Sequence, residues 1–164
     1  MHMTAARAEA APALSLDLPD EAATAALAGR LAALVRRGDV LALQGDHCSG
    51  KTAFARAFVN ALPGAPEEVP SPTFTLVQTY PREGLEVWHF DLYRLERPEE
   101  AAELGLEEAQ AEGVALIEWP ERLGGALPRG TLTLAFSYGE TPESRRVEIS
   151  GGGAWADRLR ALAR

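Results

Sequence analysis

Residues 39–58, DVLALQGDHCSGKTAFARAF, set an apolar run, a glycine loop and a helical segment in immediate succession. Val40, Leu41, Ala42 and Leu43 are continuously apolar, which suits a strand buried on both faces of a sheet. Gly45 ends that run, and Gly45-x-x-x-x-Gly50-Lys51-Thr52 leads into Phe54, Ala57 and Phe58 at helical spacing. In this context the motif reads as a phosphate-binding loop. Backbone N–H groups from His47 to Thr52 can converge on an anion, and the positive end of the following helix adds to their pull. Lys51 supplies a point charge for the β- and γ-phosphates, and the Thr52 hydroxyl suits Mg²⁺. Lys51 is also the only lysine in a chain whose Lys and Arg total 16. Lysine stands where a compact ammonium is needed and a planar guanidinium fork would not fit.

At 164 residues the chain is long enough for one domain with a real core. The expected division is a disordered Ala-rich tail over residues 1–12 and a single domain over 13–164. The formal net charge of −8 argues against a chain that grips nucleic acid by itself, because phosphate contacts supply most non-specific affinity. Residues 96–112 concentrate the acidity, either as a solvated helix face or as a surface for a basic partner. Cys48 is the only cysteine, so no intrachain disulfide forms. Arg7 and Glu9 interrupt the N-terminal apolar stretch, leaving no secretory core, and no run approaches the ~18 apolar residues of a membrane span. The expectation is a cytoplasmic protein with no membrane partner.

Local patterns divide the rest. Leu14, Leu16 and Leu18 alternate as a short strand. Asp20 can cap a helix that presents Leu27, Leu31, Leu34 and Val35 on one face, with Arg36, Arg37 and Gly38 at its end. The phosphate-loop helix stops near Leu62-Pro63-Gly64, and a Pro-rich acidic linker over 63–72 follows. Strands are expected over Thr73–Tyr80 and Leu85–Asp91, joined by a turn at Pro81–Gly84. A helix over 98–112 is interrupted at Gly105, and Val114–Trp119 reads as a buried strand. Pro120 starts a helical turn that Gly124-Gly125 ends. Thr131–Tyr138 and Arg145–Ile149 form a second alternating pair, and a last helix carries Trp155, Leu159 and Leu162. The expected fold is α/β, a three-layer P-loop NTPase-like sandwich with a mixed parallel/antiparallel central sheet.

A phosphate loop needs a carboxylate at the end of a neighbouring strand to hold Mg²⁺ or orient water. Asp91 closes EVWHFD and Glu118 closes VALIE, and in open α/β sheets both ends face the ligand crevice. Ser71 and Thr73 stand where a switch loop could sense the γ-phosphate. Trp119 is placed either beside the nucleotide or in the core, and His89 is equally open to a structural or a functional role.

GDHCSGKTAFARAF, SPTFTLVQTY, HFDLYRL-x-x-PEE and LIEWPERL occur in this order and spacing. Together they resemble the TsaE (YjeE) family over roughly residues 18–150. The resemblance implies a slow, Mg²⁺-dependent ATPase acting with a TsaB–TsaD pair in the N6-threonylcarbamoyladenosine (t6A) modification of tRNA, with tRNA held mainly by the partners. It further implies that His47, Cys48, Ser49, Gly50, Lys51 and Thr52 wrap the phosphates, with Thr52 and Glu118 on Mg²⁺. Asp91 would be a second acid near the site, and Glu21 would lie beside the nucleotide. Relatives usually read G-D-L-G-A-G-K-T, where this chain has His47, Cys48 and Ser49. A positive φ at position 48 would strain cysteine by about 1 kcal/mol. Two rivals carry the same loop. A small-molecule or nucleoside kinase would need an arginine-rich lid, to which only Arg94, Arg97 and Arg122 could contribute. A GTPase would need N-K-x-D and D-x-x-G, and neither occurs.

Overall fold

The computed structural model describes residues 14–72 and 75–163. The expected tail over 1–12 and the switch-loop candidate Thr73 lie outside these residues. Seven strands form one sheet: β1 (Leu14–Leu18), β2 (Val40–Gln44), β3 (Val77–Arg82), β4 (Leu85–Asp91), β5 (Gly113–Glu118), β6 (Leu132–Tyr138) and β7 (Arg145–Ser150). Their order across the sheet is β1-β7-β6-β2-β5-β4-β3. β2 pairs in parallel with both β5 and β6, and β4 pairs in parallel with β5. Antiparallel pairs β3–β4, β6–β7 and β1–β7 flank this parallel centre. The mixed sheet is the one the alternating pattern predicts.

Helices cover both faces. α1 (Glu21–Ala32), α2 (Lys51–Ala61) and α5 (Trp155–Ala163) pack on one side, where Leu27, Leu31, Phe54, Phe58 and Leu159 meet Leu41, Leu43, Leu116, Leu134 and Val147. On the other side α3 (Glu100–Glu103), α4 (Leu106–Glu112) and a 3₁₀ segment (Pro120–Ala126) contribute Ala101, Leu106, Ala109 and Leu123 against Val40, Phe90, Ala115 and Ile117. Alternate residues of β2, β4 and β5 thus serve opposite cores, which is why β2 and β5 are almost unbroken in apolar character. Gly105, at φ 97°, separates α3 from α4 where the interruption was expected. The Arg158 guanidinium ties α5 to the start of β2, bonding both Asp39 carboxylate oxygens at 2.7 and 3.2 Å.

Several boundaries differ from expectation. Asp20 caps α1 as expected, accepting from the Ala23 N–H at 2.9 Å. The helix nevertheless stops at Ala32 and does not run to Val35. Its ladder tightens to an i→i+3 bond from Leu34 to Leu31, and the Asp39 carboxylate takes the Arg36 N–H at 2.6 Å. Leu34 and Val35 still pack on the core from the turn beyond.

The third strand begins at Val77, well after Thr73. Leu76 has φ 68° and its N–H bonds back to Pro72, so the chain turns before it can pair. β3 then continues through Pro81 and Arg82, leaving only Glu83 and Gly84 for the turn. Proline is tolerated there because β3 is an edge strand with one neighbour. Arg82 is buried and donates to the carbonyls of Ala65 and Leu62, and Asn60 exchanges hydrogen bonds with the Glu67 backbone. The Pro-rich segment is therefore fastened to α2 and β3. β5 ends at Glu118, and Trp119 leaves the strand at φ 60°.

Candidate functional site

The loop between β2 and α2 sits at the carboxyl ends of the parallel strands. Gly45 has φ 141°, and a Cβ there would come within 2.5 Å of Ser49 Oγ and 2.7 Å of the Phe136 carbonyl. The loop can pass so close to β6 only with glycine at this position. Gly50, at φ 111°, is the N-cap of α2 and offers no side chain to its first-turn N–H groups. Those donors are left for an external acceptor. Cys48 takes φ 62°, so the strain that a non-glycine residue would carry at this position is present.

Two side chains from the β6–β7 hairpin hold the outer carbonyls of the loop. Tyr138 Oη donates to His47 O at 2.5 Å, and Arg145 Nη2 donates to Cys48 O at 3.0 Å. These contacts draw the His47 and Cys48 carbonyls toward the hairpin, while the Ser49 N–H closes the loop on the Asp46 carbonyl at 3.2 Å.

Lys51 is buried, and its Nζ donates to the Gly45 carbonyl at 2.5 Å. The same nitrogen lies 3.8 Å from the centroid of the Trp119 ring. Burial pushes its pKa below the usual lysine value, and the carboxylates of Glu118, Glu121, Asp91 and Asp46 pull it back up. The ammonium is short of solvation and surrounded by negative charge.

Asp91 and Glu118 are register partners on β4 and β5, so their side chains emerge together at the sheet's edge above the loop. Ser71 Oγ donates to Asp91 Oδ2 at 2.6 Å, and the Tyr93 N–H donates to Oδ1 at 3.1 Å. Thr52 Oγ1 approaches Glu118 Oε2 at 3.4 Å. His89 Nε2 lies 2.7 Å from the same Oε2.

One cleft of about 590 Å³ opens here, and its wall includes Glu21, His47, Cys48, Gly50, Lys51, Thr52, Ser71, Asp91, Glu118 and Trp119. The structure thus gathers residues that reach along the chain from Glu21 to Arg145. Gly45 and Ser49 lie behind the loop, where Ser49 Oγ is buried and has no hydrogen-bond partner. Arg97 does not line the cleft; Arg94 does, and Arg122 stacks 5.5 Å from the Tyr93 ring.

Sequence reasoning did not single out Arg56 and Tyr93 as site residues and held Arg145 only loosely; all three line the cleft. Tyr93 and Trp119 also pack with His47, with ring centroids between 4.9 and 5.1 Å apart. Tyr93 follows Asp91 by two residues, and the i, i+2 spacing was the signal available. Nothing local distinguishes Arg56 from a surface arginine on α2.

Among the described residues, no group of three or more His, Cys, Asp and Glu side chains could hold a metal alone, and no helix is long and apolar enough to cross a membrane.

The comparisons agree with this geometry. The chain is 43% identical to the tRNA threonylcarbamoyladenosine biosynthesis protein TsaE of Rickettsia felis over 106 residues, which are 65% of this chain and 62% of that one. The proteins of the same name from Bacillus subtilis and Treponema pallidum are 40% and 37% identical over 72% and 75% of this chain, and over 72% and 88% of their own lengths. The chain spans less than two thirds of the Rickettsia felis and Rickettsia conorii relatives. The crystal structure of Bacillus subtilis YdiB superimposes with a TM-score of 0.77 and 29% identity, covering 92% of this chain and 94% of that one, so the fold is a P-loop α/β fold. A model of the family described as "Threonylcarbamoyl adenosine biosynthesis protein TsaE" matches residues 18–147, the span that holds the loop, both carboxylates and Arg145. The chain belongs to the TsaE family.

Proposed function

We propose that this chain binds ATP with Mg²⁺ in the cleft above α2 and hydrolyses it slowly, as the ATPase subunit that works with a TsaB–TsaD pair in t6A modification of tRNA. The observation that carries the reading is the meeting of Lys51, Thr52, Asp91 and Glu118 at the uncapped N-terminus of α2. In this reading the N–H groups of residues 47–52 cradle the phosphates, and Lys51 leaves Gly45 and Trp119 to meet the terminal phosphates. Glu21 also lines the cleft, and in this reading it meets the rest of the nucleotide.

The residues suit Mg²⁺. A hydroxyl and a carboxylate, Thr52 and Glu118, face each other at a distance an ion could bridge, and hard oxygen ligands are what Mg²⁺ requires. One or two protein ligands beside phosphate oxygens is the usual arrangement for this ion. When bound, it would neutralise charge on the phosphates. Asp91, held by Ser71 and the Tyr93 N–H, is aimed to orient an attacking water and accept its proton.

The negative net charge supports a role in which partners hold the tRNA. The test is ADP release by the full chain with Mg²⁺, alone and with a purified TsaB–TsaD pair. Slow release that rises with the pair supports the subunit reading. Equal rates would contradict the partner. ADP release that rises instead with a nucleoside or alcohol would favour phosphoryl transfer to a small molecule.

A further inference from the structure

His89 lies outside the cleft, and neither the phosphate loop nor the two carboxylates require it. It is fully buried, and it sits one pleat period below Asp91 on the same face of β4. Its register partner on β5 is Leu116, two residues before Glu118. The ring therefore stands one pleat below the carboxylate pair, on the sheet face that also carries Val87 and Leu116.

We infer that His89 is the positioning residue for Glu118, holding its carboxylate toward Thr52 so that the two form a metal-ready pair. This rests on the reading of Thr52 and Glu118 as the Mg²⁺ ligands. Nε2 lies 2.7 Å from Glu118 Oε2, and because an ionised carboxylate only accepts, the hydrogen is assigned to Nε2 as donor. Oε2 is also the atom that faces Thr52 Oγ1. One contact from below thus sets the rotamer that the cleft uses. Nδ1 is buried with no hydrogen-bond partner. A histidine kept only to fill space would carry that unpaired atom for no return, where an apolar ring of similar size would avoid it.

The bond has a competitor to exclude. Glu118 is the strongest of the carboxylates acting on Lys51, whose ammonium burial has left poorly solvated. Without His89, the carboxylate gains by turning to Lys51 and forming an ion pair. That pair would occupy the phosphate charge and the metal ligand together. By engaging Oε2 from the core side, His89 keeps the two apart.

The test measures metal binding in the absence of turnover. Mn²⁺ replaces Mg²⁺, the full chain is loaded with ADP, and loss of the free-ion EPR signal reports binding. Parent, His89→Phe, His89→Gln and Glu118→Gln are compared, with far-UV circular dichroism confirming that each is folded. Gln can place its amide N–H near the position of Nε2. The expected result is Mn²⁺ binding weakened about tenfold or more in His89→Phe, with Gln restoring it to within about threefold of the parent. Adding His89→Phe to Glu118→Gln should bring no further loss. Parent-like binding by His89→Phe, with Glu118→Gln weakened, overturns the role of His89 alone. So does a Gln variant that is folded yet as weak as Phe, since shape and not the hydrogen bond would then be at work. Parent-like binding by Glu118→Gln overturns the metal assignment itself and this inference with it.

Discussion

Lys51 Nζ lies 3.8 Å from the centroid of the Trp119 ring while donating to the Gly45 carbonyl. The charge that would meet a phosphate is engaged by its own site, and a ligand must draw it away. Trp119 holds this position at φ 60°, a strained conformation for a bulky residue. Removing the ring should free the lysine. Trp119→Ala is expected to tighten ADP binding about two- to fivefold, the equivalent of one cation–π contact. Calorimetric titration of both proteins would measure it, and weaker binding in the variant would show that the ring serves the nucleotide and not the resting lysine.

Lys51 also makes the fold less stable than it need be. Burial lowers its pKa below the ordinary 10.5, so the folded chain holds the proton less tightly than the unfolded chain. In the window between the lowered value and 10.5 the unfolded state binds more protons, and this group's contribution to stability rises with pH. Below the window the full penalty is present. Lys51→Met should leave the melting temperature at pH 7 unchanged or higher, and should flatten the alkaline rise. Thermal melts from pH 7 to 10.5 give both readings.

Cys48 adopts φ 62° in an exposed turn, so its side chain adds backbone strain with little packing in return. Cys48→Gly should stabilise the chain by about 0.5–1 kcal/mol, the relief of left-handed strain less the greater entropy of unfolded glycine. Urea denaturation would detect the shift in midpoint. A loss of similar size would mean that the thiol makes a contact worth more than the strain.

Ser71 Oγ and the Tyr93 N–H fix the two oxygens of Asp91. Asp91→Asn keeps the shape and loses the basic carboxylate, so turnover should fall about 10²–10⁴-fold with ATP affinity little changed. Ser71→Ala removes only the orienting hydroxyl and should cost about tenfold in kcat. Steady-state rates beside equilibrium binding separate the two effects. Equal turnover in Asp91→Asn and the parent would remove Asp91 from the mechanism.

β2 and β5 were legible because they are short apolar runs bounded by Gly, Pro or acidic residues, whereas β4, broken by Glu86 and His89, was legible only as the partner of a hairpin. The loop was legible because its glycines have conformational causes, as Gly45 shows against Phe136 and Ser49. What the linear pattern hid was contact across the chain. Leu76 stops a β-rich run by turning at positive φ, a choice that its residue type opposes. Pro81 enters a strand because β3 is at an edge, which only the strand order reveals. His89 was ambiguous because its meaning depends on register with β5. Tyr138 and Arg145 brace the loop from 91 and 97 residues away, and no local signal marks a hydroxyl or guanidinium for that task.

The most direct test of the central claim is calorimetric titration of ATP with Mg²⁺ into the parent chain, Lys51→Ala and Glu118→Ala, with ADP release followed on the same samples. The account predicts that the parent binds and turns over slowly. Lys51→Ala should show no measurable binding, while Glu118→Ala should bind more weakly and release no ADP. Parent-like binding by Lys51→Ala, or parent-like turnover by Glu118→Ala, would contradict it.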